Sequence, residues 1–296
     1  MNQLLRDKKA IIVFILPTLL VYIVFTFYPI CQSLYFSFFD GVPGLDFKFT
    51  GFSNFSKLFA DKVFIGSLTT TIKYVLITAT GQLVLGLLTA LFLKYGMKRF
   101  VNLSRTMIYM PVVIPAVGVA ALFSKIYEIQ PNYGLLNGLL AAVGLESMVK
   151  SWIGSSATAL GALCIADIWR SIGYYTVIFY AGIVAFPKEL EEAARIDGAS
   201  TLQTIKRILM PILRPVTIMS VILCLNNTFK VYDMPTVLTM GGPGRATYVL
   251  SLYTYQTAFY DWRYGYASLL AVMMMFFILL VTQGVNYLNR KNNEEV

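Results

Sequence analysis

The side chains able to do chemistry sit in three places along the 296-residue chain. Asp167, Trp169 and Arg170 interrupt an otherwise apolar run. An acid and a base three residues apart on a helix can pair. If that run crosses a bilayer, each charge costs at least ~2.5 kcal/mol at mid-depth, so the pair is either a polar wall of a conduction path or a lock on helix packing. Asn226 and Asn227, followed by Phe229, Tyr232 and Asp233, form the second place. Amides and a carboxylate bind hydroxyl groups, and aromatic faces take the C–H side of a sugar ring. Tyr174 and Tyr175 offer the same chemistry. The plain alternative is that the amides bond between helices and the rings belong to an interfacial belt. The third place is Pro187–Pro211, where Glu189, Glu191 and Glu192 lead into Ala193, Ala194, Asp197 and Gly198.

Other chemistry is excluded by composition. There is no histidine, which rules out a His base or a His–metal centre. Cys31, Cys164 and Cys224 are isolated in apolar runs and read as small core hydrophobes. Gly241-Gly242-Pro243-Gly244 resembles a phosphate loop only superficially, and the G-x-x-x-x-G-K-[S/T] string occurs nowhere. This chain therefore does not itself hydrolyse ATP, and no cofactor, metal or catalytic residue is expected in it. A lipid-linked transferase would need a catalytic carboxylate or basic cluster at one interface, and none is found.

The elements that must position these residues are membrane helices. Hydrophobic residues make up 57% and charged residues 13%, with mean hydropathy +0.67, against about 45–50% and about 25% in soluble domains. A net charge of +9 fits nucleic acid or a membrane. The cations lie between apolar runs, which favours membrane lipid as the partner and no nucleic acid. Crossing about 30 Å takes about 20 apolar residues. Six runs qualify: 10–28, 68–93, 106–123, 155–181, 212–232 and 266–288. The expected fold is an all-α membrane protein with six transmembrane helices, a single domain over 1–296 with its core at about 66–290. Arg6, Lys8 and Lys9 precede a first run too long for a cleaved signal peptide. Lys and Arg are denser in the segments that hold Lys94, Lys98, Arg99, Lys206 and Arg207, so those segments and both termini are expected in the cytoplasm. Pro111 and Pro115 should kink or break the third run.

Within 187–211, Pro187 can open a helix whose first turn is acidic, as the positive helix end favours. Leu190, Ala193, Ala194 and Ile196 give it an apolar side. Asp197-Gly198 stops it, with Gly198 free to take positive φ. Ser200 or Thr201 caps a second helix, which runs to Pro211. Such an amphipathic helix–turn–helix suits either a membrane surface or a groove in a soluble partner.

Glu192-Ala193-Ala194, Gly198, Ile208 and Pro211 match the pattern E-A-A-x3-G-x9-I-x-L-P, with Met210 in place of Leu. The chain thereby resembles the permease subunits of binding-protein-dependent ABC importers. Leu238–Thr247, Tyr253, Tyr255, Ala258-Phe259, Gly265-Tyr266-Ala267 and the Tyr133-Gly134, Asn137, Leu140 stretch resemble the maltose-type and glycerol-phosphate-type sugar permeases. The resemblance implies that the loop is a coupling helix, with Glu191, Glu192, Ala193, Ala194, Asp197 and Gly198 docking into an ATPase. It also implies a substrate path along Asp167, Trp169, Tyr174, Asn226, Asn227, Phe229, Tyr232 and Asp233. Implied partners are a second homologous permease subunit, two cytoplasmic ATPase subunits that bind the ATP, and an extracytoplasmic sugar-binding protein. Carbohydrate import across the cytoplasmic membrane is the expected function. The alternatives are a glycerol-phosphate or polyol permease of the same kind, or a secondary transporter, which needs no such loop.

Overall fold

The structure, a computed structural model, describes residues 8–294, with side-chain surroundings from 13 to 290. Arg6, read above as an inner cation, lies outside the described residues. The helices are α1 (Lys8–Tyr22), α2 (Tyr28–Phe36), α3 (Ser53–Ala60), α4 (Lys62–Leu91), α5 (Val101–Val113), α6 (Ala116–Ile126), α7 (Leu135–Ala142), α8 (Ala159–Val184), α9 (Lys188–Ile196), α10 (Thr201–Thr204), α11 (Met210–Ile212), α12 (Arg214–Phe229), α13 (Asp233–Thr239), α14 (Leu250–Phe259) and α15 (Tyr264–Glu294). The described strands are the two-residue pair β1 (Phe39–Asp40) and β2 (Lys48–Phe49).

Each expected span has a helical counterpart. Val13–Phe36, Lys62–Gly96 and Tyr264–Arg290 are long and apolar enough to cross a membrane. The third span is a broken one: α5 and α6 meet at 98°. Pro115 forces Ile114 out of the helical region, to ψ 128°. The fifth is bent by 67° where Thr201–Ile212 gives way to Arg214–Phe229, just ahead of Pro215. The fourth, α8, has 26 residues, about 39 Å of helix, and carries Asp167 and Arg170 near its middle.

The chain forms two compact units. One comprises residues 1–64 and 253–276, the other 65–252 and 277–296. In the first, Asn54 is fully buried and donates to the carbonyls of Ser37 (3.1 Å) and Phe39 (2.6 Å), pinning α3 to the strand pair. Asp61 caps the first turn of α4 through the amides of Val63 and Phe64. Its other oxygen accepts from Tyr253 and Tyr266, each at 2.6 Å. Burial would raise the Asp61 pKa, but the two hydroxyl donors and two amides outweigh it and hold the carboxyl below its ordinary value.

The second unit has two apolar cores. Tyr74, Phe123, Leu163, Cys164 and Met234 join α4, α6, α8 and α13. Ala79, Tyr175, Phe179, Ile183, Leu209, Leu213 and Cys224 join α4, α8 and the approach to α12. Cys164 and Cys224 are the core residues expected; Cys31 is exposed instead. Asn137, read above only by resemblance, is fully buried. It bonds the carbonyls of Glu128 and Lys150 and the Trp152 indole, so it ties together the segment between α6 and α8.

Candidate functional site: a polar cavity and a helix–glycine–helix loop

A cavity of about 380 Å³ opens among α4, α5, α8, α12 and α13. Its walls include Asp167, Tyr174, Asn227, Tyr232 and Asp233 from the expected path, together with Tyr175. Asp167 is 4% exposed. Its carboxylate accepts from the Tyr74 hydroxyl at 2.6 Å and from the Gln82 amide at 3.3 Å, and the Arg170 Nε lies 3.3 Å away. The costly mid-helix charge is thus paired and further satisfied by two neutral donors. The same group bonds across helices and faces the cavity.

Three of the expected path residues are not in the cavity wall. Trp169 packs edge-to-face on Phe123 at 5.5 Å. Asn226 donates back to the Ile222 carbonyl at 2.8 Å. Phe229 is buried. Helical geometry explains this, because residues one apart project about 100° apart and a run of neighbours cannot share one face. Gln82, Ser171, Thr228 and Lys230 line the cavity and were not singled out. Gln82 carried a legible signal as an amide inside an apolar run, where a polar side chain needs a partner. Arg170 and Lys230 line the same cavity as Asp167 and Asp233, so the formal charges of the wall balance.

The loop after α8 folds as a short helix, a glycine elbow and a second helix. α9 starts after Pro187 and ends at Asp197. Gly198 follows at φ +78°, a region that costs other residues about 1–2 kcal/mol. Ser200 caps α10 in a reciprocal capping box with Gln203. The second helix then widens into a π-turn over Ile205–Leu209. Pro211 lacks the N–H that a regular helix would send to the Arg207 carbonyl.

The loop's side chains divide between two faces. Glu192, Ala193, Asp197 and Gly198 are exposed. Ala194 is buried, and Glu191 turns inward with Tyr95 and Arg195 around a small recess. Ile196, on the apolar side that the sequence gives this helix, is 86% exposed, with Leu202 at 68%. A patch of Glu192, Ile196 and Leu202 is therefore presented outward, on a loop whose base is buried through Leu209 and Leu213.

Residues 82–294 match the family described as binding-protein-dependent transport system inner membrane component. A probable ABC transporter permease, YurN of Bacillus subtilis, is 34% identical, over 97% of this chain and 96% of its own length. The trehalose/maltose transport system permease MalF of Thermococcus litoralis is 32% identical, over 96% and 94%. The fold resembles a chain of the bacterial alginate ABC transporter solved in complex with an alginate pentasaccharide-bound periplasmic protein. There the TM-score is 0.83 at 22% identity, covering 98% of this chain and 96% of that one.

Proposed function

This chain belongs to the family of inner-membrane components of binding-protein-dependent transport systems, and from that premise we propose that it is the translocating subunit of a carbohydrate importer driven by separate ATPases. The observation that carries the reading is the loop. It presents Glu192, Ile196 and Leu202 outward on an elbow made by Gly198, and its two ends lead into α8 and α12, both of which line the polar cavity. A partner that grips the loop acts on two cavity walls at once.

In this reading both termini and the loop are cytoplasmic. Two ATPase subunits dock on the loops of this chain and of a second, related permease subunit, and a sugar-binding protein delivers substrate from outside. The trehalose/maltose transport of the MalF relative and the pentasaccharide-bound periplasmic protein of the alginate complex support a saccharide and an extracytoplasmic donor. ATP is bound by the partners. This chain contributes a two-state packing of helices and no covalent step. Asn227, Tyr174, Tyr232 and Asp233 supply hydroxyl-binding and ring-stacking groups in the cavity. The balanced charges of the wall favour a neutral sugar over glycerol phosphate, which would leave Asp167 and Asp233 facing an anion.

Replacing Glu192 with Lys tests the reading. The variant should insert and assemble normally yet lose sugar uptake and substrate-stimulated ATP hydrolysis. Normal uptake by the variant would overturn the coupling role. Labelling of Ile196→Cys from the external side by an impermeant maleimide would overturn the orientation.

A further inference from the structure

A second cavity lies on the far side of α12 from the core. Pro215, Ile218, Met219, Ile222 and Leu223 form its floor and Arg214 and Asn289 its mouth, enclosing about 580 Å³. A side recess of about 220 Å³ extends the apolar part to Val285 and Leu288 of α15. A polar recess beside it is lined by Gln283, Asn286, Tyr287, Asn289 and Arg290. The Arg214 Nη2 donates to the Asn289 carbonyl at 3.1 Å, which fixes the guanidinium at the mouth. The Asn289 Oδ1 is buried with no hydrogen-bond partner among the described residues.

We propose that this cleft binds one anionic glycerophospholipid of the cytoplasmic leaflet, with an acyl chain on the α12 floor and the phosphate at Arg214. The inference rests on the orientation given under the proposed function. Three features of the cleft carry it. The floor residues share one helical face, and from Pro215 to Leu223 they cover about 12 Å of axis, well under half of the ~30 Å hydrocarbon core. The mouth stands at the end of a membrane helix, where a headgroup lies. No carboxylate lines the three recesses among the described residues, whereas Arg214 and Arg290 do. Guanidinium donors match phosphate oxygens in geometry as well as charge. Met219 is 65% exposed, so the floor is uncovered in this chain and needs an apolar occupant.

The test is native mass spectrometry of the delipidated transporter complex, titrated with phosphatidylglycerol or phosphatidylcholine of identical acyl chains. The first phosphatidylglycerol should bind about fivefold more tightly than phosphatidylcholine, the factor that corresponds to about 1 kcal/mol for one cation at an anionic lipid surface. Arg214→Gln should abolish that preference, Arg214→Lys should keep most of it, and Met219→Trp should remove binding of both lipids by filling the floor. Glycerol 1-phosphate, the headgroup without chains, should not compete. An unchanged preference in Arg214→Gln would overturn the proposal. So would competition by glycerol 1-phosphate, which would mark a soluble-anion site, or loss of the second permease subunit in Met219→Trp, which would mark a protein seam. The maleimide labelling of Ile196→Cys is read separately, so a wrong orientation is told apart from a wrong ligand.

Discussion

Removing the Asp167 carboxylate should destabilise the chain more than removing the whole ion pair. In Asp167→Ala, the Tyr74 hydroxyl stays fully buried and loses the acceptor it now reaches at 2.6 Å, a cost of about 1–3 kcal/mol. Arg170 loses its counterion as well. A fully buried partner would cost about 3–5 kcal/mol, but the Arg170 side chain is 28% exposed to the cavity, so about 1–2 kcal/mol is the fitting share. The total is about 3 kcal/mol. Asp167→Asn keeps an acceptor for Tyr74 and forfeits only the charge, so about 1–2 kcal/mol should be lost. Adding Arg170→Gln to Asp167→Asn removes the stranded cation and should recover part of that loss, giving a coupling energy of about 1 kcal/mol in a double-mutant cycle. Equilibrium unfolding of the purified complex in mixed micelles reads each value. Additive losses would refute the account, because they would mean that the two side chains stabilise the fold independently. A loss under about 1 kcal/mol for Asp167→Ala would refute the buried hydrogen-bond argument.

Gly173 lies where α8 meets α5, and a Cβ there would stand 2.8 Å from the Tyr109 Cα and collide with the Ile108 carbonyl oxygen. Gly173→Ala should therefore cost at least about 1–3 kcal/mol and lower the melting temperature, and an unchanged melting curve would show that the helices can part freely. Asn227→Ala should raise the KM for sugar uptake while Asn226→Ala leaves it unchanged, since only Asn227 lines the cavity; equal effects would place the path elsewhere. The lowered pKa of Asp61 stabilises the fold above the unfolded carboxyl pKa of about 3.9. That contribution should fade as pH falls below about 4 toward the folded pKa. Asp61→Asn should flatten this part of the stability profile, and an unchanged acid limb would remove Asp61 as its source.

Among the described residues, five of the six spans were legible because a hydrocarbon core demands long apolar runs, three as single helices and two as bent pairs; the fourth, α8, reads less plainly because Asp167 and Arg170 interrupt it. The glycine elbow at Gly198 and the cap at Ser200 were legible for a different reason. Positive φ and an N-terminal hydroxyl acceptor are needs that few residue types meet. The break at Pro115 belongs with them, and so do the π-turn before Pro211 and the bend ahead of Pro215, since a missing N–H and a ring clash mark such places in the sequence; the burial of Leu209 and Leu213 beside Phe179 and Ile183 of α8 is not local and had no such mark. The cavity was half legible. Residue types pointed to α8 and α12, but one-residue neighbours such as Asn226 and Asn227, or Trp169 and Arg170, part company on a helix, and only the three-dimensional rotation says which one faces inward. The Asp61–Tyr253–Tyr266 knot joins residues about 200 positions apart; each is ordinary in its local sequence.

The physical link between loop and cavity decides whether a pull on the loop can do work. Leu209 and Leu213, at the exit of the loop, are buried against Phe179 and Ile183, at its entrance. The elbow is therefore the outer end of a close-packed wedge, and close-packed interfaces shift as units and do not stretch. A displacement of Glu192 and Ile196 would be passed to α8 and α12 together, and these helices carry Asp167, Tyr174 and Asn227. Lubricating the wedge should then uncouple the ends without touching either. Phe179→Ala, which leaves a cavity in that seam and should cost about 3–5 kcal/mol, is expected to lower the number of sugars moved per ATP hydrolysed. Its cavity residues and outward loop face stay intact. An unchanged stoichiometry, measured on complex that remains assembled, would show that the seam is not the transmission and that the partner acts on the cavity by another route.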